Sequence, residues 1–495
     1  MKKYSFWFAI GLISMLISSC LERPVDEIAS ENTPNIILIV ADDIGYADLS
    51  VANLSKDVST PNIDNLANRG VRFTQSYATS PICSPSRAGL ITGVHQQRWG
   101  TYFYGGPGMR NAAYKTLPEI LKVEGYHTGY VGKVHYGKND NDTTHRSFPN
   151  NHGFDYFFGT MGGRKHYLIH SDKTEAQFVQ SMKDNNKKGQ SLKMQGFWRN
   201  KERIDTTGFS TEIFGGEAMK YVSKHKNEKF FMQLSFNAVH NFTHQLPKNY
   251  LEKNGLQGYH DWDPNTEDYL EWYYEGRFPN NPEGRAHYLG QLNYLDLEIG
   301  KLVEHLEKEG IADNTLIIFI GDNGGSTPIY ANNGPLRGSK YVLYEGGIRV
   351  PIIINYPSVY QPLVSNEVVS AMDLLPTICQ ILEIETPDNV DGRDISTILT
   401  QQSNSLITDT LIWDSGHEYA LRLGEWKLHV ASSTHSADYE GVELELGTHL
   451  YNLEKDPSES TDLSEINPEI TARLNGIYKK WKAEIETEIS ILEQQ

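Results

Sequence analysis

From Asn35 onward the chain is punctuated by continuous apolar runs. Asn35-Ile-Ile-Leu-Ile-Val40, Phe230 to Phe236, Thr315 to Ile320 and Val350 to Ile354 each lack polar alternation over most of their length. Such runs predict strands buried on both faces, as in a mostly parallel sheet. Between them, apolar residues recur at helical spacing. This predicts helices over 63–68, 117–123 and 285–309, the last with Leu292, Leu295, Ile299, Val303 and Leu306 on one face. A further helix is expected near 370–382. Strand and helix alternate, so the expected fold class is α/β: a large mixed, mostly parallel sheet flanked by helices. From about Thr400 the pattern changes. Thr410 to Trp413, Tyr419 to Arg422 and Trp426 to Val430 are short alternating segments separated by turns, and Pro468 to Leu492 is amphipathic. They predict a smaller C-terminal α+β subdomain with an antiparallel sheet, over 400–495. The main domain then covers 34–399.

The first 33 residues follow a different rule. Lys2 and Lys3 precede an apolar stretch, Phe6 to Ile17, too short to span a bilayer comfortably. It reads as the core of an export signal over 1–19. The stretch closes on Ile17-Ser18-Ser19-Cys20, which resembles the bacterial lipobox, so Cys20 is the expected site of lipidation. Leu21 to Thr33 is polar and acidic and reads as a tether over 20–33. The expected location is therefore that of an exported lipoprotein, held to a bacterial membrane (outer membrane, periplasm or cell surface) by its lipid.

Composition narrows the function. The 495 residues carry 45 Lys plus Arg against 63 Asp plus Glu, a formal charge of −18. This acidic balance argues against a nucleic-acid partner, which calls for a basic face. The 39% hydrophobic content supports a sizeable core. Three cysteines, Cys20, Cys83 and Cys379, do not make a disulfide scaffold. Cys379, within a predicted helix, reads as a small buried hydrophobe.

The predicted strands end in reactive residues. Asp42-Asp43 follows the first run, His240 the second, and Asp322-Asn323 the third. Ligands of open α/β sheets bind beyond the carboxyl ends of the strands, so these side chains are expected to converge. Asp42, Asp43, Asp322 and Asn323 form a hard, all-oxygen donor set suited to calcium or magnesium rather than zinc. In Ser80-Pro-Ile-Cys83-Ser-Pro85-Ser-Arg87, the proline suits the first turn of a helix. Cys83 then stands at a helix N-terminus, where an anion is favoured, with Arg87 one turn on.

The Cys-x-Pro-x-Arg segment resembles the signature of the type I, formylglycine-dependent sulfatases of the alkaline-phosphatase superfamily. The resemblance extends from Asn35 to about Asp462. Gly132-Lys133-Val134-His135 is similar to the family's Gly-Lys-x-His segment, with Val134 where Trp is common. Gly338-Ser-Lys340, Glu345-Gly-Gly-Ile-Arg349-Val-Pro351 and Asn452 to Leu463 match further family stretches in order. The resemblance implies an alkaline-phosphatase-like fold and a sulfuric ester hydrolase. It implies that Cys83 is oxidised to formylglycine, whose hydrate is the nucleophile and joins the four oxygen donors around one calcium ion, magnesium being second choice. It assigns charge neutralisation to Arg87, Lys133 and Lys340, protonation of the leaving oxygen to His240, and handling of the hydrated aldehyde to His135. Arg164, Lys165 and His166, with His244, are candidates for the substrate side of the cleft. The implied partners are a formylglycine-generating or anaerobic sulfatase-maturating enzyme and a sulfated oligosaccharide or polysaccharide. Ulvan, carrageenan, fucoidan and glycosaminoglycans all remain open as its source. Two other functions stay in contention: a phosphodiesterase or phosphonate hydrolase of the same superfamily, and a non-catalytic glycan-binding lipoprotein.

Overall fold

The first apolar run forms strand β1 (Asn35–Ala41), buried along its whole length. Its alternate side chains enter two different cores: Ile36, Leu38 and Val40 face one, Ile37, Ile39 and Ala41 the other. That double burial is the reason the run carries no polar alternation. The computed structural model describes residues Thr33 to Glu493, apart from Asn111, 138–141, Arg164, Lys165, most of 170–195 and 259–280, 402–409, Tyr439 and Glu440. The export segment, Cys20 and most of the tether lie outside the described residues. Among the described residues no helix is long and apolar enough to cross a membrane.

The remaining strands up to the C-terminal region are β2 (Val71–Tyr77), β3 (His127–Lys133), β4 (Tyr156–Thr160), β5 (Leu168–Ile169), β6 (Phe197–Arg199), β7 (Glu202–Ile204), β8 (Gly208–Phe209), β9 (Phe230–Ser235), β10 (Thr315–Gly321), β11 (Ile352–Asn355) and β12 (Leu363–Ser370). Nine of them join β1 in one ten-stranded sheet, in the order β12-β2-β11-β10-β1-β9-β3-β4-β6-β7, while β5 and β8 pair separately. At its centre β10, β1, β9 and β3 lie side by side and parallel, with Asn35 opposite Thr315 and Ile36 opposite Phe231. Their carboxyl ends therefore share one edge. The run ending at Ile354 is a strand, but β11 is antiparallel to both neighbours. The chain between β10 and β11 stays at the carboxyl edge, so it re-enters the sheet from the side it left.

Helices cover both faces. On one face lie α1 (Pro61–Asn68), α4 (Ser210–His225) and α5 (Gly284–Lys308), which bury Ile63, Phe214, Val222, Leu292, Leu295 and Ile299. On the other lie α2 (Cys83–Thr92), α3 (Leu117–Val123) and α7 (Leu374–Ile381). Cys379 on α7 is fully buried among apolar neighbours, as its surroundings in the sequence predict. Burial pushes its thiol up to about 11.

The C-terminal strands β13 (Thr410–Asp414), β14 (Glu418–Leu423), β15 (Trp426–Ala431) and β16 (Gly447–Asn452) form a separate antiparallel sheet. Helix α8 (Pro468–Glu493) covers it through Leu474 and Tyr478, which pack on Ile412, Leu421, Leu428 and Leu450. The sheet docks on the main domain through Tyr77, Leu343, Ile348, Leu411 and Trp413. A buried polar cluster lies beside this contact. Lys427 bonds Glu345 at 3.0 Å and lies 2.8 Å from Glu459. Glu345 opens the short helix α6 (Glu345–Ile348), so the Glu-Gly-Gly-Ile-Arg-Val-Pro stretch is the main domain's side of this docking surface.

Candidate active site

The four central parallel strands deliver the reactive side chains. Asp42 and Asp43 follow β1, Asp322 and Asn323 follow β10, and His240 lies in the loop after β9; β3 ends on Lys133, with His135 two residues on. Helix α2 begins at Cys83 after the extended residue Ile82. Pro85 occupies the first turn, where a missing N–H leaves no helical bond unmade. One turn along, Arg87 is fully buried. Its Nε donates to Asp322 Oδ2 at 2.7 Å and its Nη1 to the Lys133 carbonyl at 2.9 Å, while Nη2 stands 3.8 Å from Asp42 Oδ1. Lys133 bonds Asp42 Oδ2, and Lys340 bonds Asp43 Oδ2 at 2.8 Å. His240 Nε2 lies 3.6 Å from the same Asp43 oxygen. His135 Nδ1 is 3.2 Å from Cys83 Sγ.

Three carboxylates thus face three cations in a largely buried site. Burial pushes Asp42 and Asp43 up despite the pull of Lys133 and Lys340. Burial alone lowers Lys340, but Asp43 outweighs it and holds the ammonium charged. The helix N-terminus was expected to favour an anion at Cys83; burial instead raises the thiol, against Lys340 and Lys133.

The donor set fits a hard cation. Asp42, Asp43, Asp322 and Asn323 present only oxygen, apart from the Asn323 amide nitrogen, which is already committed to Asp43 Oδ1 at 2.7 Å and the Gly324 carbonyl at 2.9 Å. Asp42 Oδ1 and Asn323 Oδ1 are buried without a hydrogen-bond partner. Buried orphaned acceptors of this kind are costly unless a ligand satisfies them. Ligand atoms, one from each of Asp42, Asp43 and His240, lie within 4.8 Å of one another, as do those from Asp42, Cys83 and Asp322.

Of the substrate-side candidates, His166 and His244 are both buried and converge on Phe242. The His166 ring stacks on Phe242 at 4.7 Å and bonds Gln245 Nε2 at 3.0 Å; His244 meets Phe242 edge-on at 5.8 Å. Arg164 and Lys165 lie outside the described residues. Val134, in the position where Trp is common, is a fully buried core residue. Two supporting residues escaped the sequence reading. Tyr167 donates its hydroxyl towards the carbonyls of Asn237 and His240, at 3.0 and 2.9 Å, and so braces the His240 loop. Gly163 lies flat against the His135 ring: a Cβ there would fall 2.9 Å from Cε1 and Nε2. Both positions flank the candidates Arg164, Lys165 and His166, but neither residue type announces such a role.

The sulfatase family profile matches residues 34–384, which include every residue of this constellation. The chain belongs to the sulfatase family. It is a sulfuric ester hydrolase. Residues 339–486 also match the C-terminal region of N-sulphoglucosamine sulphohydrolase, across the docked antiparallel sheet. The N-acetylgalactosamine-6-O-sulfatase of Bacteroides thetaiotaomicron is 28% identical, with 94% of this chain and 97% of that protein aligned. A sulfatase of Formosa agariphila is 27% identical over 97% of this chain and 94% of its own length. Among solved structures, Ps i-CgsB in complex with k-i-k-neocarrahexaose superposes with a TM-score of 0.73 at 29% identity, covering 91% of this chain and 92% of that one. The fold is shared more widely. The phosphonate monoester hydrolase of Agrobacterium radiobacter has a TM-score of 0.60 at 19% identity, over 92% of this chain and 96% of that one.

Proposed function

We propose that this sulfatase removes sulfate from a sulfated carbohydrate, using a formylglycine made from Cys83 and one calcium ion. The observation that carries the reading is the position of Cys83. It opens a helix 3.2 Å from His135 and joins Asp42 and Asp322 in a group whose ligand atoms lie within 4.8 Å of one another. The sugar assignment draws on the relatives: one is named for N-acetylgalactosamine 6-O-sulfate, and another is seen with a neocarrahexaose.

Asp42, Asp43, Asp322 and Asn323 would hold the calcium, which would supply positive charge beside the sulfate oxygens and the nucleophile. The hydrated aldehyde would supply two hydroxyls, one to bond sulfur and one to expel sulfate as the carbonyl re-forms. Lys133 and Lys340 here neutralise Asp42 and Asp43. With a cation taking up that charge, both ammonium groups serve the anionic ester. Arg87 is anchored between Asp322 and the Lys133 carbonyl and fixes the geometry of both. His240 donates a proton to the sugar oxygen as its bond to sulfur breaks. His135, backed by Gly163, holds the nucleophile and accepts the proton of the second hydroxyl. Maturation calls for a formylglycine-generating or anaerobic sulfatase-maturating partner. Export and lipidation at Cys20 would present the enzyme at the membrane to polymeric substrate.

Sulfate release by the matured, calcium-loaded enzyme should be measured on defined oligosaccharides of carrageenan, fucoidan, ulvan and glycosaminoglycan type, beside a phosphodiester and a phosphonate monoester. Sulfate release from one sugar class at the highest kcat/KM supports the reading. Preference for the phosphorus esters would replace it with the phosphonate hydrolase alternative.

A further inference from the structure

At the opposite end of the central sheet is a second group of ligating side chains, unlike the first. His127 opens β3 and Lys133 closes it; seven strand residues separate the two ends by about 20 Å. Beside His127 stand His225, the last residue of α4, and Glu228, in the turn that leads into β9. Glu228 bridges the two imidazoles: Oε2 is 2.8 Å from His225 Nδ1 and Oε1 is 3.4 Å from His127 Nε2. The rings stack with centroids 4.8 Å apart, and one ligand atom from each residue falls within 4.8 Å of the others.

We propose that His127, His225 and Glu228 form a second metal site, for a borderline divalent ion such as zinc, independent of the catalytic chemistry. Two imidazoles and one carboxylate are a zinc-type donor set, whereas the site at the carboxyl edge offers oxygen. The backbone holds the three residues in place before any ion arrives: His127 N–H donates to the Lys229 carbonyl at 3.0 Å, and Glu228 N–H to the His225 carbonyl at 2.9 Å. His225 is fixed by packing on Tyr221, at 4.6 Å between rings. The side chains of His127 and Glu228 are 45% and 49% exposed, so an ion reaches the group from solvent and water completes its coordination. Nearby charge does not block it. Lys226 is paired with Glu309 at 2.7 Å and Lys229 lies over the Tyr126 ring, which leaves Lys224 as the cation acting on both His225 and Glu228. A bound ion would clamp the end of α4 to the start of β3. One zinc per chain would then sit apart from the oxygen donors at the carboxyl edge.

The test is equilibrium dialysis of the calcium-saturated enzyme against zinc near neutral pH, with bound metals counted by mass spectrometry. The expected result is one zinc per chain, with calcium and sulfate release unchanged. His127→Ala and Glu228→Gln, both at exposed side chains, should each weaken zinc binding at least tenfold and leave calcium in place. Cobalt in the same site should give the intense visible absorption of a tetrahedral N/O centre, lost in both variants. No zinc uptake by the parent enzyme, or equal zinc affinity in His127→Ala, overturns the proposal while leaving the sulfatase reading intact.

Discussion

Lys427→Met tests how the C-terminal sheet is held to the catalytic domain. The Lys427 ammonium is fully buried and serves two buried carboxylates, Glu345 and Glu459. Methionine keeps the aliphatic stem and removes the charge. Burial pushes Glu345 up, but Lys427, Arg349 and Arg422 outweigh it and hold it low, so it keeps cationic neighbours in the variant. Glu459 is different: burial and the Glu345 charge push it up to about 7 even with Lys427 present. Removing one partner of a buried pair costs about 3–5 kcal/mol. An unfolding entropy of about 2.1 cal/mol/K per residue gives roughly 1 kcal/mol/K for a domain of about 460 residues, hence a Tm loss of about 3–5 °C. The pH dependence has a definite sign. Glu459's folded value lies above its unfolded one, so between about 4.5 and 7 the folded state binds the extra proton and stability falls as pH rises. Losing Lys427 raises the folded value further and extends that window upward. The Tm deficit of the variant should therefore be largest in mild alkali and shrink towards pH 5, and adding Glu459→Gln should recover part of it. Calorimetry at fixed scan rate across that range is the assay. A deficit under 1 °C, or one that grows on acidification, would refute the reasoning.

The active site yields three further expectations. His240→Ala should lose roughly 10²–10⁴-fold in kcat/KM on a sugar sulfate and far less on a nitrophenyl sulfate, whose oxygen leaves with little help; equal losses would reduce His240 to a positioning residue. Chelation should abolish sulfate release and calcium should restore it better than magnesium, while calcium at about 100 times its Kd should stabilise the fold by about 2.7 kcal/mol; full activity in demonstrably metal-free enzyme contradicts the donor assignment. Cys83→Ser should at best form one sulfate ester and stall, because serine has no second hydroxyl with which to expel the sulfate. Rapid-quench sulfate counting distinguishes a single turnover at most from sustained release.

Within the main sheet, the strands legible in the sequence were those buried on both faces. β1, β9 and β10 are apolar on both faces and announce themselves. β2 (Val-Arg-Phe-Thr-Gln-Ser-Tyr) and β12 lie towards the sheet edge with half-exposed positions, so their sequences mix polar and apolar residues without a clean period. Helix α4 carries a Gly-Gly pair that weakens its helical signature. The donor residues were legible because each follows a strand or opens a helix, and such positions place side chains at one sheet edge. The bracing was not. Tyr167 acts through its hydroxyl on a loop 73 residues away, and Glu345 meets Lys427 and Glu459 across 82 and 114 residues. Nothing local in either segment encodes such a partner.

The central claim is that Cys83 enters catalysis as an aldehyde, and the mass of the Phe73 to Arg87 tryptic peptide tests it most directly. The peptide should be taken from enzyme purified from a host with the maturation activity and shown to release sulfate over many turnovers. The account predicts a peptide lighter by the exchange of CH2–SH for CHO at Cys83, shifted again by a carbonyl-specific hydrazide, in proportion to the active fraction. An unmodified Cys83 thiol in fully active enzyme would contradict it.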